Sequence, residues 1–214
     1  MRAVTVCVNY DDYLALVLPS WLPLFKEIVV VTSAADARTQ WLVEESSPKV
    51  RPHVTDAFYR DGAVFNKGWA LHEGMRGMNC GWIAVLDADV ILPRAIRDFD
   101  FIAGNLYSPF RRRLEVGQPI PPEGEWNSLP RADREEKTGE FAGYCQIFHA
   151  GDNARRGARY PTGCPTCAGC DTTFYKQWPR DKLRRPNWEV LHLGPTRKNW
   201  EGRRTARIDE IEAQ

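Results

Sequence analysis

Gly81-Trp82-Ile83-Ala84-Val85-Leu86-Asp87-Ala88-Asp89-Val90-Ile91-Leu92-Pro93 is the stretch whose reading decides the fold. Its first half is continuously apolar after the glycine. A run of that length suits a strand buried on both faces of a parallel sheet. Two carboxylates follow the run at once. Open α/β sheets bind their ligands beyond the carboxyl ends of the strands. Residues i and i+2 of an extended chain point the same way, so Asp87 and Asp89 are expected to share one divalent ion. Hard oxygen ligands suit Mg²⁺ or Mn²⁺, which bridge substrate phosphates and neutralise charge on a diphosphate leaving group. The competing account of an isolated Asp-x-Asp is an aspartate that caps the next turn while its neighbour faces solvent.

Upstream, short apolar runs alternate with amphipathic segments. Ala3–Val8 and Glu27–Thr32 are rich in β-branched residues and read as buried strands, and Val50–Ala57 is a weaker third that contains Pro52. Tyr13–Phe25 carries Leu14, Leu18, Trp21, Leu22 and Phe25 at helical spacing, with Pro19 and Pro23 expected to kink or divide it. Asp36–Glu45 and Asn66–Met75 read as further helices, the latter ended by Gly77. The order β-α-β-α-β-α-β implies right-handed crossovers and a doubly wound, mostly parallel sheet.

Downstream the pattern is less regular. Pro119, Pro121, Pro122, Gly124 and Pro130 predict a long loop over about residues 115–140. A strand follows at Gly143–His149, a loop at Gly157–Gly169, a short helix at Asp171–Gln177 and a late strand at Glu189–Leu193. The expectation is a single domain over residues 1–214, with a nucleotide-binding half at 1–93 and an acceptor-binding half at 94–214.

Composition narrows the class further. The 214 residues carry 29 Lys and Arg against 28 Asp and Glu, so the net charge by itself says nothing about partners. Arginines cluster late in the chain, at 111–113, 155–156, 184–185 and 203–204, where they could meet a polyanion or form local ion pairs. No stretch approaches the roughly 20 apolar residues of a membrane span, and the start lacks the features of a signal peptide. The expectation is a soluble, cytoplasmic protein with six reduced cysteines. Cys164, Cys167 and Cys170 have the spacing of a structural zinc site, with Cys145 or His149 as candidate fourth ligand; the alternative is reduced thiols in a tight turn. Zinc is not among the expected cofactors. Lys67 opens the third helix, where a cation and free helix amides attract a diphosphate; a solvent-facing lysine is the plainer reading.

The segment Val85–Pro93 resembles the DxD segment of GT-A glycosyltransferases, particularly the family-two type of bacteria and viruses, phage included. Phe65-Asn66-Lys67-Gly68-Trp69-Ala70-Leu71-His72-Glu73-Gly74 resembles the helix that precedes it, with His72 where asparagine is common. Val29–Ser33 with Asp36 and Thr39 resembles the second strand and its loop. Ala168-Gly169-Cys170-Asp171-Thr172-Thr173-Phe174 resembles the segment that carries the base of inverting members. Val190-Leu191-His192-Leu193-Gly194, followed by Asn199-Trp200 and Gly202-Arg203, resembles the segment whose histidine completes the metal shell.

The resemblance covers nearly the whole chain in order. It implies a GT-A type α/β fold, a nucleotide-diphosphate sugar donor such as a UDP-sugar, and Mn²⁺ or Mg²⁺ as cofactor. It implies a metal shell of Asp87, Asp89 and His192, and Asp171 as the base that takes a proton from an acceptor hydroxyl. Asn9, Tyr10 and Asp11 are implied to contact the donor's base and ribose, with Thr32, Ser33 and Asp36 closing that pocket. Asn66, Lys67, Ala88 and Arg203 are expected near the donor phosphates. The acceptor stays open: a glycan, or, given the arginine clusters, modified DNA such as a hydroxymethylated base. Two rival functions remain: a sugar-nucleotide nucleotidyltransferase, against which the non-glycine loop Asn9-Tyr10-Asp11-Asp12 argues, and a zinc-stabilised nucleic-acid-binding module. The sequence contains no signal for oligomeric state.

Overall fold

The structure is a computed structural model in which residues 1–131, 141, 143–152, 157–194 and 198–212 are described. Four parallel strands build one half of the central sheet: β1 (Arg2–Val6), β2 (Glu27–Thr32), β3 (Val50–Val54) and β4 (Trp82–Asp87). After β4 come β5 (Val90–Ile91), β6 (Leu106–Tyr107), β7 (Phe110–Leu114), β8 (Cys145–His149), β9 (Leu183–Arg184) and β10 (Glu189–Leu193). The seven-stranded sheet has the order β3-β2-β1-β4-β8-β6-β9, and β5-β10-β7 form a second, smaller sheet. Within the large sheet only β8 runs against its neighbours.

Helices α1 (Asp11–Trp21) and α2 (Ala37–Ser46) connect the first strands, and α3 (Lys67–Gly74) leads into β4. Later come α4 (Cys170–Tyr175) and α5 (Ile208–Glu212). The pleat sends alternate strand residues to opposite faces. Ala3, Cys7, Ile28 and Val30 meet Leu14, Val17, Trp21 and Val43 of α1 and α2 on one side. Val4, Val8, Val29 and Val31 meet Ala70, Leu71 and Phe174 of α3 and α4 on the other. The doubly wound α/β class expected from the apolar runs is therefore what the chain adopts. None of the described helices is long and apolar enough to cross a membrane.

Three local features aim the chain at one crevice. After β1, β2 and β3 step outward on one side of β1, the chain returns to place β4 on the other side. That reversal leaves the carboxyl ends of β1 and β4 side by side, with Val6 opposite Asp87, and such switch points are where open sheets bind ligands. Gly74 lets α3 approach closely: a Cβ there would stand 2.3 Å from a Val31 methyl carbon. Trp21 is fully buried and donates its indole N–H to the Val90 carbonyl at 2.8 Å, tying α1 to the strand that follows Asp89.

Two expectations change. Pro19 does not divide the first helix; it sits in the last turn of α1, and the helix ends two residues later, before Pro23. The expected long loop is partly folded, with a 3₁₀ helix at Glu123–Ser128 whose Trp126 is buried and donates to the Pro121 carbonyl. Its portion 132–140 lies outside the described residues.

Candidate metal centre and its surroundings

Asp87 closes β4, and its backbone amide donates to the Tyr144 carbonyl at 2.9 Å. The expected i, i+2 geometry is not that of an extended strand. Ala88 and Asp89 form a turn between β4 and β5, because β5 must leave the large sheet to join the small one. Ala88 turns its methyl into the core on the α1 side. The two carboxylates nonetheless come together, and β10 adds the third side chain. Antiparallel pairing sets His192 opposite Val90, and the Leu193 amide donates to the Asp89 carbonyl at 2.8 Å. Asp87, Asp89 and His192 each offer a ligand atom, all within 4.8 Å of one another.

The electrostatics of this trio suit a cation. Burial and the neighbouring Asp87 push the Asp89 carboxyl up to about 8. Burial and then Arg111 hold the His192 imidazole down at about 3, so it is neutral with a lone pair to give. Asp89 Oδ1 lies 3.6 Å from His192 Nε2, too far for a hydrogen bond. Asp89 Oδ1 and His192 Nδ1 are both buried without a hydrogen-bond partner. Buried polar atoms left in that condition are costly, and a divalent ion would satisfy the cluster's excess of acceptors.

Asp171 lies beside this trio. It stands in the first turn of α4, after Gly169 at φ +76°. Its carboxyl is pushed up by burial and by Asp87, while the Lys67 ammonium opposes the shift. The Lys67 ammonium lies 2.7 Å from Asp87 Oδ1 and 3.2 Å from the Asp171 carboxylate. On its other side the Asp171 carboxylate rests against Gly143, where a Cβ would fall 1.7 Å from the carboxyl carbon. Gln146 on β8 donates to the Asp171 carbonyl at 3.3 Å and accepts from Tyr160 at 2.6 Å.

The other expected donor-site residues are placed unevenly. Asp36 is buried as the N-cap of α2, accepting from the Thr39 amide at 3.1 Å and from Thr39 and Thr32 hydroxyls at 2.6 and 3.2 Å. It also accepts from the Asn9 amide at 2.5 Å, which fixes Asn9 at φ +57°. Its carboxylate is thus fully engaged in structure. Thr32 and Ser33 are buried beside it. Asn66 caps α3 through the Trp69 amide at 3.0 Å and donates to the Thr162 carbonyl at 2.6 Å. Tyr10 stacks on Tyr13 with ring centroids 4.9 Å apart.

The Arg203 guanidinium faces Tyr10. It lies 4.9 Å over the Tyr10 ring and pairs with both oxygens of Asp12 at 2.5 and 2.8 Å. Arg207 does the same with Asp11 at 2.8 and 2.7 Å. Asn199 donates to the Tyr10 hydroxyl, and the Ile208 amide to Asp12 at 2.9 Å. Residues 198–212 are in this way clasped onto the start of α1. Arg112, from another arginine cluster, pairs with Glu189 within the small sheet.

The cysteine run does not converge on a metal. Among the described residues the Asp87–Asp89–His192 trio is the one metal-capable group of three, and Cys164, Cys167 and Cys170 form none. The helix start at Cys170 turns that thiol into the core with Phe174, while the other two remain partly exposed.

Gly143 falls in the expected Gly143–His149 strand and Arg111 in an expected arginine cluster, but their partners, Asp171 and His192, and the pairing of Asp12 with Arg203, have no local signal in the sequence.

No protein-family model matches the chain, and no curated protein matches it. Solved structures do. A mycobacterial protein aligns over 90% of this chain with a TM-score of 0.53 at 15% identity; this chain spans 64% of that protein's length. Glucosyl-3-phosphoglycerate synthase of Mycobacterium tuberculosis aligns over 98% of this chain and 74% of its own, at 14% identity and a TM-score of 0.49. The same enzyme in complex with Mn²⁺, uridine diphosphate and phosphoglyceric acid aligns over 99% of this chain and 73% of its own, at 15% identity and 0.49. At 15% identity, the first of these likenesses is one of fold.

Proposed function

We propose that this chain is a glycosyltransferase that moves a sugar from a nucleotide-diphosphate sugar, such as a UDP-sugar, to an acceptor hydroxyl. The observation that carries the reading is the meeting of Asp87, Asp89 and His192 at the sheet's switch point, with a buried carboxylate oxygen and imidazole nitrogen left unsatisfied. Two carboxylates and an imidazole are a donor set that fits Mn²⁺, and the carboxylates serve Mg²⁺ as well. When bound, the ion would neutralise the charge that develops on the departing diphosphate.

The chain's own residues supply the rest. Asp87, Asp89 and His192 hold the ion. Asp171 takes the proton from the acceptor hydroxyl as its oxygen attacks the anomeric carbon and the bond to the diphosphate breaks. Burial raises the pKa of that carboxyl and so makes it a stronger base, with the Lys67 ammonium opposing the shift. Attack opposite to the leaving group inverts the anomeric centre. Tyr10 and Asn9 border the crevice where the base and ribose would lie. The acceptor is a hydroxyl compound whose class the site's residues leave open, glycan and modified DNA included.

Thermal denaturation with UDP-, GDP-, CMP- and dTDP-sugars, with Mn²⁺ or with EDTA, tests the reading. A ligand at 100 times its Kd stabilises by about 2.7 kcal/mol, or roughly 5–10 °C for a chain of this size. The expected result is a metal-dependent shift with one nucleotide family that Asp89→Ala abolishes. No shift with any nucleotide sugar overturns the proposal.

A further inference from the structure

We infer that Lys67 is a positioning residue: one buried ammonium joins the metal-binding carboxylate of Asp87 to the proton-accepting carboxylate of Asp171 and sets their separation. The inference rests on the glycosyltransferase reading above and deepens it. Position in sequence suggested a cation for the donor phosphates; geometry points to a strut between two side chains of the protein.

The anchorage of Lys67 is rigid. It is the first residue of α3, and the cap residue before it is held from two sides, by the Trp69 amide and the Thr162 carbonyl. The glycine after it lets the Pro161 carbonyl close over the helix start; a Cβ at Gly68 would stand 1.8 Å from that oxygen. The side chain is 8% exposed, so its charge cannot rely on water. Its ammonium has three protons to donate, and two go to Asp87 Oδ1 at 2.7 Å and to Asp171 at 3.2 Å. Those two carboxylates offset the burial of the ammonium, and they raise its pKa well above the ordinary value against the effect of desolvation.

Two consequences follow for the site. With Asp87 Oδ1 bonded to the ammonium, the Asp87 carboxylate is held in one orientation beside Asp89 and His192. With Asp171 held between the ammonium on one side and the bare Cα of Gly143 on the other, the base has one available place. A lysine that left this bridge to bind a diphosphate would release both constraints at the moment of reaction, and the tests separate the two roles.

The experiment compares Lys67→Met, Asp171→Asn and the double variant by ligand-free thermal denaturation, by Mn²⁺-dependent nucleoside diphosphate affinity, and by release of nucleoside diphosphate from the nucleotide sugar. Lys67→Met is expected to lower kcat by at least about 100-fold, the scale of a misplaced reacting group, with nucleotide Kd and donor KM within about threefold. Its midpoint falls, and adding Asp171→Asn restores part of the loss, because the second change neutralises the carboxylate orphaned by the first. In the Asp171→Asn background, Lys67→Met costs less than about tenfold more, since groups acting as a unit are not additive. That last comparison stands even if Lys67→Met alone fails to fold. Nucleotide affinity that falls in step with kcat makes Lys67 a phosphate ligand and overturns the inference. Additive losses of midpoint or of kcat overturn it as well, while leaving the glycosyltransferase reading intact. A wild-type protein with no metal-dependent nucleotide binding defeats that reading first, and the inference with it.

Discussion

Gly143→Ala is the substitution with the most sharply defined consequence. The new Cβ would fall 1.7 Å from the Asp171 carboxyl carbon and 2.0 Å from its Oδ2. Carbon–carbon contacts settle at about 3.5–4.0 Å, so the carboxylate must move by about 2 Å or the backbone must yield. The Lys67 ammonium would lose one of its two partners and keep Asp87 at 2.7 Å. Overpacking of this kind costs about 1–3 kcal/mol, which lowers the midpoint by roughly 2–12 °C in a chain of this length. Catalysis suffers more, because a misplacement of about 1 Å already costs about 100-fold. The atoms nearest the new Cβ all belong to Asp171, none to the metal trio, so Mn²⁺ affinity should stay within about threefold. The assay is release of nucleoside diphosphate, with titration of Mn²⁺ alongside. Turnover within threefold of wild type and an unchanged midpoint would refute the placement of Asp171 against Gly143, or its role as base.

Three further outcomes follow from the same geometry. The Asp89 carboxyl, pushed up to about 8, must lose its proton to bind an ion. Mn²⁺ affinity should therefore fall about tenfold per pH unit below 8 and level off above it, and calorimetry showing a flat profile from pH 6 to 9 contradicts this. The sign for folding is opposite: a carboxyl raised in the folded state contributes stability below its unfolded pKa that is lost as pH rises through about 8, so the ion-free protein is favoured by this group at pH 6 over pH 9. Asp36→Ala removes the cap of α2 and the anchors of Thr32 and Asn9, and should cost about 2 kcal/mol in denaturant unfolding; a loss under 0.5 kcal/mol would be inconsistent with its full engagement. Arg203→Ala removes the bidentate partner of the Asp12 carboxylate and leaves it the Ile208 amide and the more distant Arg207 charge; it should cost on the order of 3 kcal/mol and speed limited proteolysis within residues 198–212, and unchanged cleavage would show that the clasp does not hold that segment.

What the sequence disclosed and what it concealed divide along physical lines. Strands β1, β2 and β4 were legible because burial on both faces leaves an unbroken apolar run. Helix α3 was legible from the helical spacing of Trp69, Leu71 and Met75, and β10 fell on its expected residues, Glu189–Leu193. Strand β7 was not, since Phe110-Arg111-Arg112-Arg113-Leu114 reads as a charged surface until long aliphatic stems and a partner such as Glu189 are seen beside it. Pairings between distant segments have no local signature: Asp12 meets Arg203 across 191 positions, and Gly143 seats Asp171 only once β8 and α4 are packed. The cysteine spacing left a zinc site and reduced thiols both open for a related reason. Spacing along the chain does not set direction, and the turn into α4 sends Cys170 to the core.

The most direct test of the central claim is anomalous scattering from crystals soaked with Mn²⁺ and a nucleoside diphosphate, recorded at the manganese edge. One dominant peak is expected within coordinating distance of the Asp87 and Asp89 carboxylates and a ring nitrogen of His192, with diphosphate oxygens completing the shell. A peak elsewhere, or none at these three residues with nucleotide bound, would contradict that claim.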